Sequence, residues 1–332
     1  MKKLKVNLKD RSYDISIGSG ILGKAKELFN LDRKVFILTD DGVPSEYAKT
    51  IAGASKTALV YTIPQGEKSK TIETYIDILK KMTDFNLTRT DAMVGVGGGV
   101  VGDLTGFCAS TYMRGIDFYN VPTTMLSMVD SSIGGKTGVD FMGIKNGVGT
   151  FCQPKGVLID TETLNTLPDR HFLNGLTESI KMAATFDEKL FSLIESKNAK
   201  DNIEDIIYKS LSIKKKVVEK DEKEKGLRKV LNFGHTLAHA IEGVSKMQDI
   251  LHGEAVAIGM VKSSSGLAKE RIIKVLNSYG LNTEYSGDKN ELIEFIKHDK
   301  KCTGNFIDII KTDKIGKFSI VRETVEKFIG EN

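Results

Sequence analysis

The segment His235-Thr-Leu-Ala-His239, followed thirteen positions later by His252-Gly-Glu254, holds three of the chain's five histidines. On a helix, His235 and His239 project from one face a single turn apart. Neutral imidazole is a common ligand for a borderline divalent metal such as zinc. The same spacing also suits a core helix burying two hydrogen-bonded histidines. A third histidine with an acid beside it turns the reading towards metal, and spacing alone leaves open which of the three histidines bind it.

A second chemistry lies earlier, in Gly97-Gly98-Gly99-Val100-Val101-Gly102-Asp103. This run fits G-x-G-x-x-G placed between a strand and a helix, where glycines let backbone amides approach a pyrophosphate at the helix N-terminus. The acid that usually follows about twenty positions later to hold a ribose has no clear counterpart, Asp117 being nearest. Spacing therefore leaves a nucleotide site and a ligand-free turn both open. Thr123-Thr-Met-Leu-Ser-Met-Val-Asp130, Ser131-Ser-Ile-Gly-Gly-Lys-Thr137 and Gly143-Ile-Lys-Asn146 gather glycines, hydroxyls and lysines suited to an anion.

These residues need a scaffold. Leu4–Leu8 and Tyr13–Ile17 alternate as two strands of a hairpin, and Val35–Leu38, Leu59–Ile63, Ala92–Val96, Phe118–Val121 and Val157–Asp160 read as further strands. Helices over Ser45–Ala52 and Ile72–Met82 separate several of them, which predicts a mostly parallel, doubly wound sheet. From about His171 to Glu270 the spacing is helical almost throughout, and Lys214-Lys-Lys216 reads by composition as a solvated face. More helices and one late strand, Phe318–Val321, follow. The fold class expected is an α/β domain over residues 1–160 and an all-α domain over 161–332, with the boundary near Asp160.

The 332 residues, 40% hydrophobic and 28% charged, suit an ordinary globular chain of two domains. A net charge of +4 favours acidic small molecules, and the basic residues are not massed into a nucleic-acid arm. Cys108, Cys152 and Cys302 are odd in number and scattered, so no disulfide framework is expected. With neither a signal-like apolar run nor a membrane-spanning stretch, the expected compartment is the cytoplasm.

Read together, Gly97-Gly-Gly-Val-Val-Gly-Asp-Leu-Thr-Gly106, Met113-Arg-Gly115, Pro122-Thr-Thr124, Val129-Asp-Ser-Ser-Ile-Gly-Gly-Lys136, Lys145-Asn146, Thr177-Glu-Ser-Ile-Lys181, Leu231-Asn-Phe-Gly-His-Thr236 and His252-Gly-Glu254 resemble the 3-dehydroquinate synthase family, in family order. The resemblance implies a cytoplasmic homodimer with an NAD-binding N-terminal domain, a helical C-terminal domain and an active site in the cleft between them. It implies conversion of 3-deoxy-D-arabino-heptulosonate 7-phosphate to 3-dehydroquinate and phosphate. In that reaction a ring alcohol is oxidised, phosphate is eliminated, the ketone is reduced back, and the ring opens and closes as an aldol.

By the same resemblance, Glu178, His235 and His252 hold zinc or cobalt, three protein ligands leaving room for substrate. His239 becomes a polar neighbour. Lys136 and Asn146 hold the substrate phosphate, with Arg114 reaching it from the other subunit and a lysine from Lys300-Lys301 completing the site. Lys181, Lys214, Arg228 and Asn232 surround the substrate carboxylate and hydroxyls, with Asp130 nearby. NAD falls to Asp40, Glu67, Lys70, Gly98, Gly99, Val100, Asp103, Thr123, Thr124, Lys145, Thr166 and Leu167. The chain departs from the family pattern at Gly42, at Val139-Asp140 and at His171.

Overall fold

The computed structural model describes residues 1–196, 199–245, 250–298 and 304–330. The chain divides into two compact units, Met1–Phe172 and Leu173–Asn332.

The first unit is built on a seven-stranded sheet. Its strands are β1 (Lys2–Val6), β2 (Tyr13–Gly18), β3 (Lys34–Asp40), β4 (Thr57–Ile63), β5 (Ala92–Gly97), β6 (Asp117–Pro122) and β9 (Gly156–Asp160), in the order β1-β2-β9-β6-β5-β3-β4. Only β1 runs antiparallel, against β2. β3, β5, β6 and β9 are almost wholly buried, as strands covered on both faces must be, which is why they read as continuous apolar runs.

Alternate residues of β3 supply two separate cores. Val35 and Ile37 pack with Phe29, Ile51 and Leu158 on the face covered by α1 (Ala25–Leu28) and α2 (Ser45–Ala54). Phe36 and Leu38 pack with Ile78, Met82 and Leu104 on the face covered by α3 (Ile72–Asp84) and α4 (Gly99–Thr111). From β3 the chain first passes to β4 on one side and then to β5 on the other. That reversal opens a crevice at the carboxyl ends of β3 and β5, the usual ligand position in such sheets. Asp40 and Gly97 are the last residues of those two strands.

The glycines, hydroxyls and lysines after Asp130, where the sequence pattern marks no strand, lead into an antiparallel hairpin, β7 (Lys136–Phe141) and β8 (Ile144–Phe151). Most of β8 is exposed, so it lacks the apolar alternation that marks a half-buried strand.

In or leading into the second unit lie α5 (Asp169–Phe186), α6 (Glu188–Glu195), α7 (Ile203–Lys220), α8 (His235–Val244), α9 (His252–Lys262), α10 (Gly266–Ser278) and α11 (Lys289–Lys297). The unit is not purely helical. β10 (Phe306–Lys311) pairs antiparallel with β11 (Ser319–Thr324), giving the late strand a partner, before a final helix α12 (Val325–Gly330). Among the described residues no helix is long and apolar enough to cross a membrane.

Candidate active site

Three helices of the second unit converge on one carboxylate. Glu178, in α5, is 1% exposed, and its Oε1 lies 3.7 Å from His235 Nε2 and 3.5 Å from His252 Nε2. Its Oε2 is ion-paired with Lys181, one turn along the same helix. One donor atom from each of Glu178, His235 and His252 falls within 4.8 Å of the other two. Neither Glu178 oxygen makes a well-angled hydrogen bond, although both are buried. Two imidazoles and a carboxylate with unspent lone pairs are the donor set a catalytic divalent ion takes, so the residues present fit a metal.

The backbone brings the donors together by direct contact between glycines and their neighbours. Gly234, in the left-handed region at φ 77°, ends the preceding loop and starts α8 at His235. A methyl group on Gly234 would stand 2.8 Å from Met260 N, and one on Gly259 would overlap the Gly234 carbonyl oxygen. At the start of α9, the Gly253 N–H donates to Asn174 Oδ1 at 2.5 Å, one turn before Glu178 on α5. Helix backbones approach this closely only through glycine, and here the approach sets the spacing between the three donors.

Each ring is also held from behind. His235 Nδ1 lies 3.2 Å from the Phe233 carbonyl oxygen, and His252 Nδ1 lies 3.2 Å from Glu242 Oε1. Both rings therefore turn Nε2 towards Glu178. Glu254, the acid beside His252 in sequence, faces elsewhere and accepts the Leu251 N–H at 2.8 Å. His239 stacks edge-on to His235, with ring centroids 5.5 Å apart, and lies outside the donor group.

The electrostatics of the three donors follow from their burial and their charged neighbours. Burial would push the Glu178 carboxyl up, but the Lys181 ammonium and His252 together hold it down to about 2. Burial lowers His235 well below its ordinary value, with Lys181 adding to the effect. Burial would also lower His252, yet the flanking Glu178 and Glu242 carboxylates raise it to about 9. A metal requires neutral rings, so at pH 7 it must displace the His252 proton. Calorimetry in buffers of different ionisation heat should record about one proton released per metal, with affinity rising as pH approaches 9. Proton-free binding between pH 6 and 8 would contradict this assignment.

Lys181, Lys214 and Arg228 are all buried. Burial of Lys214 corrects the compositional reading of Lys214-Lys-Lys216 as a solvated face. It is Lys215 that makes a helix-surface pair, with Glu219 at 3.0 Å. Arg228 donates from Nη1 to the Glu222 carbonyl at 2.5 Å, and Asn232 donates to Glu224 Oε1 at 2.8 Å. Glu224 and Glu242 were not singled out in the sequence. Glu242 could have been, since it stands two turns after His235 on the same helix face.

In the first unit, the start of α4 has no side-chain cap, leaving its first amides available at the Gly98 turn. Beneath that turn a small recess is lined by Gly97, Gly98, Gly102, Asn120, Ser131 and Ser132. Asn120 Oδ1, Ser131 Oγ and Ser132 Oγ are buried there without hydrogen-bond partners. Uncapped amides and the two serine hydroxyls, which can donate, fit a dinucleotide phosphate at a switch-point crevice, whereas Asn120 Oδ1 can only accept. Gly99, Val100 and Asp103 lie in the first turns of α4. The Thr123 N–H donates to the Gly97 carbonyl at 3.0 Å, and the Thr124 and Ser127 hydroxyls are 2.9 Å apart. Thr166 shares a hydrogen bond of 3.1 Å with the Tyr47 hydroxyl, just before Leu167. Asp40 Oδ1 accepts the Gly42 N–H at 3.0 Å, and its carboxyl is raised by burial against that bond.

Lys70 ties several of these residues together. Its buried Nζ is 2.6 Å from Asp103 Oδ2 and 3.7 Å from Glu67 Oε1, and it also donates to Asn146. Asn146, expected at a phosphate, and Lys70, expected at NAD, are thus direct neighbours. Arg114, Lys136 and Lys145 are exposed, and Asp130 is half-buried. Arg114 has φ 67°, in a short turn over Tyr112–Arg114. Lys300 and Lys301 lie outside the described residues.

Comparison with known proteins extends these findings. A family model for the 3-dehydroquinate synthase N-terminal region matches residues 60–174, and one for its C-terminal region matches residues 175–302. A 3-dehydroquinate synthase of Streptococcus suis is 40% identical over 350 aligned positions, covering 98% of each chain. One of Dictyoglomus thermophilum is 41% identical over 345 positions, covering 99% of this chain and 97% of the relative. Among solved structures, 2-deoxy-scyllo-inosose synthase complexed with carbaglucose-6-phosphate, NAD+ and Co2+ superposes with a TM-score of 0.89 at 25% identity, covering 99% of this chain and 98% of that one. The 2-epi-5-epi-valiolone synthase of Streptomyces hygroscopicus, with NAD+ and Zn2+ bound, gives 0.88 at 26%, covering 98% and 96%. With both halves of the chain matched by family models and close to its full length by relatives at 40%, the chain belongs to the 3-dehydroquinate synthase family.

Proposed function

We propose that this chain converts 3-deoxy-D-arabino-heptulosonate 7-phosphate to 3-dehydroquinate and phosphate, the second step of the shikimate pathway, as a cytoplasmic homodimer. The observation that carries the reading is the buried group of Glu178, His235 and His252 beside Lys181, in a chain whose relatives of that name span nearly its full length.

When bound, NAD and zinc or cobalt supply reversible hydride acceptance and Lewis-acid polarisation of a substrate oxygen. Glu178, His235 and His252 hold the metal. The Lys181 ammonium keeps Glu178 ionised and adds positive charge beside the place where a substrate oxygen must become anionic. The planar fork of Arg228, with Lys214, takes the substrate carboxylate. Lys136, Asn146 and Arg114 of the partner subunit take the phosphate. Asp130, Asn232 and His239 face the hydroxyls. The uncapped start of α4 receives the dinucleotide phosphates, with Asp40 and Glu67 near the same crevice.

A cyclase for a neutral sugar phosphate would share this fold, so architecture does not separate the two activities. Lys214 and Arg228, both buried, favour the acid, because their cationic donors suit a substrate carboxylate that a neutral sugar phosphate does not carry. Incubation with the heptulosonate phosphate, NAD and zinc should release phosphate and cyclised product in equal amounts. Turnover of glucose 6-phosphate in its place would overturn the reading.

Shared sites make a further prediction. Arg114→Ala and Lys181→Ala should each be nearly inactive alone, yet mixed dimers should regain activity, because one of the two sites in a hybrid is intact. Demonstrated heterodimers without recovery would place Arg114 in its own subunit's site or outside the chemistry.

A further inference from the structure

We infer that Glu242 is a positioning residue for the metal centre. It fixes the His252 ring through Nδ1, so that the Nε2 lone pair faces the space shared with Glu178 and His235. The inference rests on the reading of Glu178, His235 and His252 as metal ligands.

Glu242 lies near the end of α8, two turns from His235 and on the same helix face. It is 7% exposed, and its Oε1 is 3.2 Å from His252 Nδ1. The opposite edge of that ring, Nε2, is 3.5 Å from Glu178 Oε1. His252 is therefore held across its ring between two carboxylates. His235 is arranged in the same sense, with Nδ1 on the Phe233 carbonyl oxygen and Nε2 towards Glu178.

The two histidines thus use different acceptors for one task. His235 sits immediately after the tight Gly234 turn, so a backbone carbonyl is in reach. His252 opens its own helix α9, and it takes its acceptor from the neighbouring helix. A neutral imidazole carries one proton, and an acceptor at Nδ1 leaves the lone pair on Nε2. A carboxylate there also makes the ring a stronger donor and stops it from turning about its Cβ–Cγ bond. Burying a carboxylate among the apolar residues of α8 and α9 costs free energy that a leucine would not, so its placement calls for a partner of this kind.

The test measures metal affinity directly, by chelator competition with zinc and by titration with cobalt(II), whose visible absorption reports the ligand field. Glu242→Ala should weaken zinc binding by about 10–100-fold and alter the cobalt spectrum. Glu242→Gln, whose amide oxygen still accepts from Nδ1–H, should restore the spectrum and much of the affinity. The metal-free proteins should melt close to one another. Unchanged affinity and spectrum in Glu242→Ala would overturn the inference, as would a fall in melting temperature with no change in metal binding. If Glu242→Ala does not fold, Glu242→Gln decides alone, since its lost charge should shift affinity measurably. His252→Ala separates the two levels of the argument. If it binds zinc like the wild type, the metal reading itself fails. If it loses zinc while Glu242→Ala does not, only the role of Glu242 falls.

Discussion

Purified and dialysed, the Glu178→Ala and His252→Ala proteins will carry little zinc, whereas His239→Ala will retain nearly one ion per chain and lose most of its activity. The expectation follows from which atoms converge. Oxygen and nitrogen donors from Glu178, His235 and His252 lie within 4.8 Å of one another, and His239 is not among them although it is His235's neighbour one turn away. Removing one of three ligands should exceed the roughly 10–100-fold loss that follows deletion of a residue merely supporting a ligand. His239→Ala leaves the donor set whole and, on the proposed reading, removes a polar group that faces the substrate hydroxyls, so activity and metal content should part company. Metal analysis of the three proteins checks this. A zinc-free His239→Ala beside a zinc-replete His252→Ala would reverse the ligand assignment.

The second large effect is expected at a residue with no side chain. Gly259→Ala should lower stability by about 1–3 kcal/mol and also weaken metal binding. Two effects oppose each other at this position. Alanine is the better helix former by about 1 kcal/mol, which would stabilise α9. The new methyl group, however, would overlap the Gly234 carbonyl oxygen, a backbone atom that no rotamer change can move aside. The helices must separate, and His235 follows Gly234 directly, so separation carries one of the three converging donors away from the other two. Denaturant melts and zinc affinity, measured together, should both decline. A stabilised protein with wild-type zinc affinity would show that the crossing is looser than its geometry indicates.

Much of the sheet is legible in the sequence because its inner strands are buried on both faces and so read as short apolar runs bounded by turns. The hairpin of β7 and β8 is not legible in this way. Val139 anchors it in the core, but its tip stands out with Phe141, Met142 and Ile144 exposed, and its glycines and hydroxyls look like a loop. Among the described residues β10 likewise pairs with β11 alone, in a two-stranded sheet with no larger one to reinforce its pattern. At the site, local spacing makes His235 and His239 look like the pair, since sequence periodicity detects only partners within one helix. Glu178 is supplied from α5, and His252 is placed against it by the Asn174–Gly253 contact. No local pattern encodes that contact, and only resemblance to a family puts Glu178 and His252 with His235. Glu242 illustrates the converse: its spacing from His235 was visible, but its partner lay on another helix.

Lys70 has a thermodynamic consequence. One ammonium serves Glu67 in the turn after β4, Asp103 in the first turns of α4 and Asn146 at the tip of the hairpin. A ligand that draws Asn146 towards itself therefore changes what holds Asp103, and a ligand seated at the glycine turn changes what holds Asn146. Two occupants sharing that nitrogen are not independent. Whatever factor a phosphate at the hairpin applies to dinucleotide affinity, the dinucleotide must return to phosphate affinity, because both are one coupling free energy measured around a closed cycle.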